Sequence, residues 1–277
     1  FAKILDRNKI VYSREFCLGV KSYDFKVNNI LIEVDPTATH NIHFIPYGDY
    51  KGINENYHHI KSKLASENNY RCIHIWDWDD VDKIIRLLKP RETVYARNCS
   101  IREVSLYDAR TYLDANHLQG YAKDRIRLGL YYKDILVSLM TLDKPRYNTN
   151  YEYELIRYVS TYNVLGGSER LFKHFVTTYS PSSIISYCDR SKFQGKVYDK
   201  LGFISKGVSL GKHWYNIKTG KHITDNLLRQ RGFDQLLGGE YGCYGKGTSN
   251  EELMLKHGFL PVIDAGQETF IWNRTLG

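Results

Sequence analysis

A series of short apolar segments that stops at a proline and then starts again is the feature that most constrains this fold. The break lies at residues 89–92, where Pro90 ends an apolar helical stretch because its ring disfavours helical geometry in the residue before it. On both sides, runs typical of strands alternate with segments typical of helices. The 277 residues correspond to about two domains. We therefore predict an α/β (α+β) protein with two domains, residues 1–92 and 93–277.

Composition excludes several classes of protein. Hydrophobic residues make up 42% and charged residues 25%, which is ordinary for a folded chain and excludes a disordered one. No stretch approaches the ~20 apolar residues of a membrane span, so we predict no membrane partner. Five widely spaced cysteines without a CxxC pair indicate a reducing, cytoplasmic compartment. Phe1 is not a start methionine, which is expected of a fragment of a longer product.

The charge balance points weakly to a polyanionic partner. The 39 basic and 31 acidic residues give a net charge of +8, and 23 tyrosines add rings that suit wet interfaces. Nucleic acid is one such partner, and a merely basic surface is the other interpretation. The sequence predicts no oligomeric state.

The first domain is predicted to have the element order α-β-β-β-α-β-α. The predicted helices cover 1–7, 54–68 and 81–88, and the predicted strands cover 10–16, 22–27, 30–35 and 72–76. A helix between the third and fourth strands allows a mixed sheet with helices on both faces.

The second domain is predicted to restart the pattern. It has helices over 105–117 and 167–179 and one ending near 200, strands over 125–132, 136–142, 153–160 and 183–187, and a closing hairpin within 259–272.

Three carboxylates fall on two neighbouring strands of the first domain. Asp24 lies on the second strand, and Glu33 and Asp35 lie on one face of the third, because side chains alternate along a strand. Such oxygen ligands suit Mg²⁺. His40 follows closely enough to act as a general acid or base. Alternatively, these acidic groups cap helices or face water.

Four segments of the first domain carry a family resemblance. They read YDFKV over 23–27, IEVDPTATH over 32–40, NYHHIKSKL over 56–64 and RCIHIWDWD over 71–79. They resemble the Vsr-like (very short patch repair) endonuclease domain of the PD-(D/E)XK superfamily, as found in phage homing endonucleases. Pro36 and Thr39 stand where that family has Gly and Trp.

This resemblance implies a Mg²⁺-dependent endonuclease of homing type that acts on double-stranded DNA in the cytoplasm of a phage host. It implies Asp24, Glu33 and Asp35 as metal ligands. The implied catalytic residues are Asp24, Glu33, Asp35, His40, His58 and Lys61.

A glycine turn in the second domain precedes the helix over 167–179. Gly166 and Gly167 there would leave backbone N–H groups open to an anion, unless the turn simply caps the helix through Ser168. The surrounding segments LGLYYKDILVSLMT (128–141), YELIRYV (153–159) and VYDKLGF (197–203) resemble the GNAT (Gcn5-related N-acetyltransferase) fold. Asn163 and Ser168 replace the first and last positions of that family's cofactor loop.

Two roles for the second domain follow. A GNAT-like domain can position DNA for the nuclease, with phosphate contacts and base stacking from a basic, aromatic extension. The implied DNA-binding residues are Lys212, Trp214, Lys218, Lys221, Arg229 and Arg231. The alternative is an acyltransferase that uses acetyl-CoA or another acyl-CoA, bound at Gly166, Gly167 and Ser168, and acts on a nucleobase or a protein. The first domain would then only bind DNA.

Overall fold

Helices and strands are interspersed along the chain, which confirms the α+β class. The computed structural model describes residues 1–44, 53–245 and 247–274. The strands are β1 (Ser13–Leu18), β2 (Lys21–Val27), β3 (Ile30–Asp35), β4 (Arg71–Trp76), β5 (Thr93–Tyr95), β6 (Ser100–Glu103), β7 (Ile126–Tyr132), β8 (Ile135–Asp143), β9 (Tyr153–Ser160), β10 (Asn163–Leu165), β11 (Ser183–Asp189), β12 (Ile204–Ser209), β13 (Lys212–Asn216), β14 (Lys221–Thr224), β15 (Phe259–Ile263) and β16 (Gln267–Asn273). The α-helices are α1 (Ala2–Arg7), α2 (Thr37–His40), α3 (Tyr57–Glu67), α4 (Val81–Leu88), α5 (Leu106–Asn116), α6 (Gly167–Tyr179), α7 (Lys196–Lys200), α8 (Asp225–Tyr241) and α9 (Asn250–Lys256).

The chain divides into two compact units, each built from separate segments. The first unit comprises residues 1–79, 189–194 and 208–267, and the second comprises 80–188, 195–207 and 268–277. This division differs from the predicted boundary at 92/93, because α4 belongs to the second unit and the extension over 208–267 belongs to the first. Pro90 does end α4 in sequence, but a local stop signal does not determine which sheet the later segments join.

The first unit contains the predicted mixed sheet, in the order β1-β2-β3-β4. β2 pairs antiparallel with β1 and β3, whereas β3 and β4 are parallel. Asn28, in a left-handed conformation, makes the tight turn between β2 and β3. The buried side chains of Tyr23, Leu31, Ala65 and Cys72 form a core between this sheet and α3. The helix between β3 and β4 therefore allows the parallel pair, as predicted.

A second sheet in the first unit, with the order β14-β13-β15, comes from the glycine-rich region. It packs with α8 and α9 around a core that includes Trp214, Phe233, Leu253 and Phe259. The sequence pattern did not predict this sheet, because β13 and β14 are short, with five and four residues, and lie in a glycine-rich region.

The second unit is built on a sheet with the order β12-β16-β11-β9-β8-β7-β6. The strands predicted over 125–132 and 136–142 are present as the antiparallel pair β7 and β8, and the helix predicted over 167–179 is α6, with the short strand β10 between it and β9. β11 pairs in parallel with β9 over three positions. The predicted closing hairpin is wrong, because β15 pairs with β13 and β16 joins this larger sheet. Within the described residues, no helix has the length and apolar character of a membrane span.

Candidate functional site

A buried carboxylate surrounded by histidines forms the most distinctive cluster of the first unit. Asp35, the last residue of β3, is completely buried. Its Oδ1 lies 3.0 Å from Nδ1 of His40 and 3.9 Å from Nε2 of His58. Its Oδ2 lies 2.6 Å from Nδ1 of His74. One carboxylate is therefore shared by three imidazoles.

Short-range structure brings these side chains together. Pro36 is extended and starts α2, and the backbone N–H of Thr37 donates to Oδ2 of Asp77 at 2.7 Å. This tight turn carries His40 back toward the end of β3. His58 lies in the first turn of α3. The parallel register of β3 and β4 sets His74 beside Glu33, one pair before Asp35.

Hydrogen bonds determine which nitrogen of His58 faces the cluster. Its Nδ1 lies 2.7 Å from the carbonyl oxygen of Ile263, so Nδ1 carries the proton and donates it. Nε2 of His58 therefore presents a lone pair toward Nδ1 of His40, 3.1 Å away. Two nitrogens and one carboxylate oxygen thus converge on one point.

Burial and charge act in opposite directions on these groups. Burial lowers the pKa of His58 to about 3 and also lowers the pKa of His40. Burial opposes ionisation of Asp35, but the neighbouring histidines outweigh it and lower its pKa to about 2. Burial likewise opposes protonation of His74, yet Cys72 and Asp35 raise its pKa well above the ordinary value. The cluster is therefore an ion pair of Asp35 and His74 beside two neutral imidazoles.

Asp35, His40 and His58 have the geometry of a cation site. Their ligand atoms all lie within 4.8 Å of one another. Oδ1 of Asp35 is buried and, within the described ranges, accepts no hydrogen bond of acceptable geometry. A buried carboxylate oxygen without a donor is costly, and a bound cation would satisfy it.

The predicted set of three carboxylate ligands is not assembled. Asp24 is exposed, and its Oδ2 accepts the backbone N–H of Val34 at 2.7 Å. Glu33 is buried and bound to Lys61, with 2.5 Å between Oε2 and Nζ. Glu33 and Asp35 share a strand face as predicted, but only Asp35 belongs to the group of converging ligand atoms. Mg²⁺ requires oxygen ligands, so the donor set that is present does not fit it.

The pair of Glu33 and Lys61 forms a second contact on the same face of β3. Burial raises the pKa of Glu33 to about 7, although the charge of Lys61 opposes this. Burial also opposes the charge of Lys61, but Glu33 outweighs it and raises the pKa of Lys61. The carbonyl oxygen of Lys61 accepts the hydroxyl of the buried Tyr23 at 2.8 Å. Lys61 is thus held in place as a cation.

Most of the predicted DNA-binding residues are engaged within the first unit. Trp214 is fully buried and its indole N–H donates to Asp225 at 3.0 Å, so the prediction that it stacks on a base is wrong. Lys212 pairs with Glu251, Lys221 with Glu240 and Arg229 with Asp225. Lys218 and Arg231 are exposed. The residues predicted to bind DNA therefore differ in how available their charges are.

A second histidine cluster was not predicted. Nε2 of His213 lies 3.0 Å from Oδ2 of Asp264, and its Nδ1 lies 2.9 Å from Nε2 of His222. Trp78 stacks on His222 with 4.3 Å between ring centroids. No local pattern connects these residues. His74, by contrast, is a histidine inside the apolar run of β4, and that signal could have drawn attention to it.

The glycine turn of the second unit lies beside a cavity. Gly166 has a φ of 75°, which glycine adopts without strain, and α6 begins directly after it. A cavity of about 450 Å³ is lined by Gly166, Arg97 and Arg170 among others. Ser168 is buried, and its hydroxyl donates to Glu169 at 2.7 Å. Of the three residues predicted to bind a cofactor, only Gly166 lines this cavity.

Comparison with known proteins finds a distant structural neighbour of this chain. No protein-family model matches the chain, and no curated protein matches it either. The chain is similar to a crystal structure of a Bacillus subtilis acetyltransferase in complex with CoA, with a TM-score of 0.35 and 14% sequence identity. The alignment covers 63% of this chain and 98% of that one. Similarity at this level assigns neither an activity nor a ligand to this protein.

Proposed function

We propose that the first unit hydrolyses phosphodiester bonds in double-stranded DNA. The observation that carries the proposal is that five of the six predicted catalytic residues form two contacting groups built on Glu33 and Asp35 of β3. These contacts are the ion pair of Glu33 with Lys61 and the cluster of Asp35, His40 and His58. Buried charges, shifted pKa values and converging polar groups, all present here, are the features expected of a functional site.

The cluster consists of buried supporting groups and one partly exposed side chain, that of His40. The side chain of His40 is 17% exposed, whereas those of Asp35 and His58 are 0% and 1% exposed. Nδ1 of His40 faces Asp35, so Nε2 is the atom left to meet a phosphate oxygen. As an N–H donor it would stabilise the charge that builds up on that oxygen when water attacks phosphorus. The buried groups would hold the ring in place.

Cleavage of a supercoiled plasmid tests this proposal. The full chain is incubated with plasmid and each of Mg²⁺, Mn²⁺, Co²⁺ and Zn²⁺ in turn, and nicked and linear products are followed over time. Loss of the His40 donor should slow cleavage by about 10²–10³-fold in His40→Ala. His43, an exposed histidine three residues away, gives the matched control, and His43→Ala should cleave at the wild-type rate. An absence of cleavage with every ion, or equal cleavage by both variants, would contradict the proposal.

A second candidate function, acyl transfer from an acyl-CoA, is supported by the cavity at the start of α6. Arg97 and Arg170 bring two positive charges to that cavity, and a pyrophosphate group needs such partners. The guanidinium of Arg170 donates to the carbonyl oxygen of Ala96, which fixes its position. Ser168, predicted to bind the cofactor, lies in the first turn of α6 and is buried, and this weakens the candidate.

Calorimetric titration with acetyl-CoA separates the two functions. Binding that is lost in Arg170→Ala and retained in Arg110→Ala, which changes a 70% exposed arginine, would favour the acyltransferase. No heat of binding would contradict the acyltransferase.

A further inference from the structure

We infer that Asp35, His40 and His58 bind a single transition-metal ion, of the kind that prefers imidazole ligands, and that this site is not a Mg²⁺ site. The inference deepens the proposed function, on whose site it rests, by naming the class of metal that the site takes. It departs from the Mg²⁺ that the nuclease resemblance implies.

The spacing of the three ligand atoms supports this assignment. Nitrogen and oxygen ligands lie about 2.0–2.2 Å from Zn²⁺, so neighbouring ligand atoms in one shell are about 3–3.6 Å apart. The observed separations are 3.0 Å and 3.1 Å from His40 Nδ1 to the other two atoms, and 3.9 Å between Asp35 Oδ1 and His58 Nε2. Small side-chain movements would bring all three atoms into the shell of one ion.

The chemistry of the donors selects the class of metal. Two imidazoles and one carboxylate form a set that suits zinc, iron, cobalt, nickel or manganese, and such sets leave positions open for water or substrate. Mg²⁺ would need oxygens, and among the described residues Asp35 is the one carboxylate in the group of converging ligand atoms. Glu33 is paired with Lys61, and Asp24 accepts the N–H of Val34.

The groups behind the ligands are arranged as in metal centres. The carbonyl of Ile263 fixes the tautomer of His58, and His74 donates to the Asp35 oxygen that faces away from the other two ligands. Metal-bound histidines and carboxylates usually have such hydrogen-bonded partners. The remaining oxygen, Oδ1 of Asp35, is buried and has no hydrogen-bond donor among the described residues. The hydrogen-bonded groups behind the ligands and the unsatisfied Oδ1 of Asp35 therefore both indicate a cation between the three ligand atoms.

Titration of the full chain with Co²⁺ tests the inference, because Co²⁺ bound to nitrogen ligands absorbs visible light. We expect one Co²⁺ per chain, displaced by Zn²⁺ and not by a large excess of Mg²⁺. His40→Ala and His58→Gln should each weaken Co²⁺ binding by at least about 100-fold, since even loss of a supporting partner costs 10–100-fold. His40→Ala changes a partly exposed side chain and is the variant that should leave the fold intact.

Two controls locate the ion. His43→Ala should retain the signal, and so should His222→Gln, which changes the other histidine pair of the first unit. Absence of Co²⁺ binding, unchanged binding in His40→Ala, loss of binding only in His222→Gln, or displacement by Mg²⁺ at a similar concentration would each overturn the inference. Failure of the proposed function is distinguishable. If the ion binds as inferred and the loaded protein cleaves no DNA, DNA hydrolysis fails alone, whereas cleavage with Mg²⁺ and no Co²⁺ site would reject the inference alone.

Discussion

Asp35 shows how strongly a buried carboxylate depends on its neighbours. Its side chain is inaccessible to solvent and contacts imidazoles through both oxygens. An isolated ion there would pay a large desolvation cost, which only close partners of opposite charge can offset. The pKa of Asp35, lowered to about 2, and that of His74, raised well above its ordinary value, express this mutual dependence.

Replacing Asp35 with Asn should therefore destabilise the first unit. The change removes the negative charge but leaves the buried, protonated His74 without its partner, and breaking a buried pair in this way costs about 3–5 kcal/mol. Urea denaturation followed by tryptophan fluorescence measures the free energy of unfolding. Asp134→Asn is the control, because Asp134 pairs with Arg102 at the surface and is 82% exposed. It should change stability by less than about 0.5 kcal/mol. Similar losses in both variants would show that Asp35 is not coupled to the histidines.

Part of this cluster could be predicted from the sequence, because side chains alternate between the two faces of a strand. This alternation places Glu33 and Asp35 on one face, and a tight turn after β3 brings His40 near them. The partners of His58 were not predictable in this way. Its contact with the carbonyl of Ile263 joins residues 205 positions apart in the chain, and no local sequence pattern predicts a contact over such a separation. Of the three carboxylates predicted as metal ligands, only Asp35 lies in the group of converging ligand atoms, because packing pairs Glu33 with Lys61 and leaves Asp24 exposed.

At the scale of elements, β13 shows where composition misleads. Its sequence, Lys212 to Asn216, contains cations and rings, which is typical of a nucleic-acid surface. The strand instead buries Trp214 and Asn216 on one face and pairs with both β14 and β15. Helices with clear sequence signals at their ends were easier to predict. α4 was predicted with its observed bounds, because Asp80 caps its first turn and Pro90 follows its end.

The cations around this sheet should contribute unequally to DNA binding. Lys218 and Arg231 are exposed, whereas Lys212 and Lys221 are paired with Glu251 and Glu240. A contact with a phosphate releases a condensed counterion, at about 0.9 per contact on duplex DNA. The double variant Lys218→Ala/Arg231→Ala should flatten the dependence of log affinity on log salt by up to about two units.

The matched control for this prediction is Lys212→Ala/Lys221→Ala. It removes the same total charge but from lysines whose carboxylate partners already neutralise them, so the slope should change by less than half as much. Fluorescence anisotropy with a labelled duplex at several salt concentrations gives both slopes. Equal changes in the two double variants would mean that the carboxylates do not keep these lysines from DNA.

At the scale of the whole molecule, the two units are assembled from alternating segments of chain. The first unit includes residues 189–194 and 208–267, which follow most of the second unit in sequence. A sequence pattern read from one end to the other favours contiguous domains, and this is why a single boundary was predicted. β13 pairs with the distant β15, and β16 joins the larger sheet. Both pairings are determined by tertiary packing and not by local sequence. Both units also contain histidines whose pKa is lowered by burial, and these link the stability of the protein to pH.

We expect the protein to lose stability as the pH falls from 6.5 toward 4. Burial lowers the pKa of His58 and His117 to about 3 and that of His222 to about 4. These histidines stay neutral in the folded protein below pH 6.5 but take up a proton on unfolding, so each lowers the free energy of unfolding by about 1.4 kcal/mol per pH unit. Glu33 has the opposite effect, because its pKa of about 7 makes the folded state bind a proton where the unfolded state does not. His40, whose pKa burial also lowers, adds a further uptake, so the free energy of unfolding falls as the pH falls.

Urea denaturation at a series of pH values measures this slope, and a single substitution isolates one contribution. In His117→Gln the acceptor of the Gln119 backbone N–H is kept, while the titrating group is lost. The slope should then be about 1.4 kcal/mol per pH unit shallower than in the wild type. The variant Tyr107→Phe, at a 78% exposed side chain, should keep the wild-type slope. Stability that is constant or rises as the pH falls through this range would contradict the prediction, because unfolding would then take up no net protons.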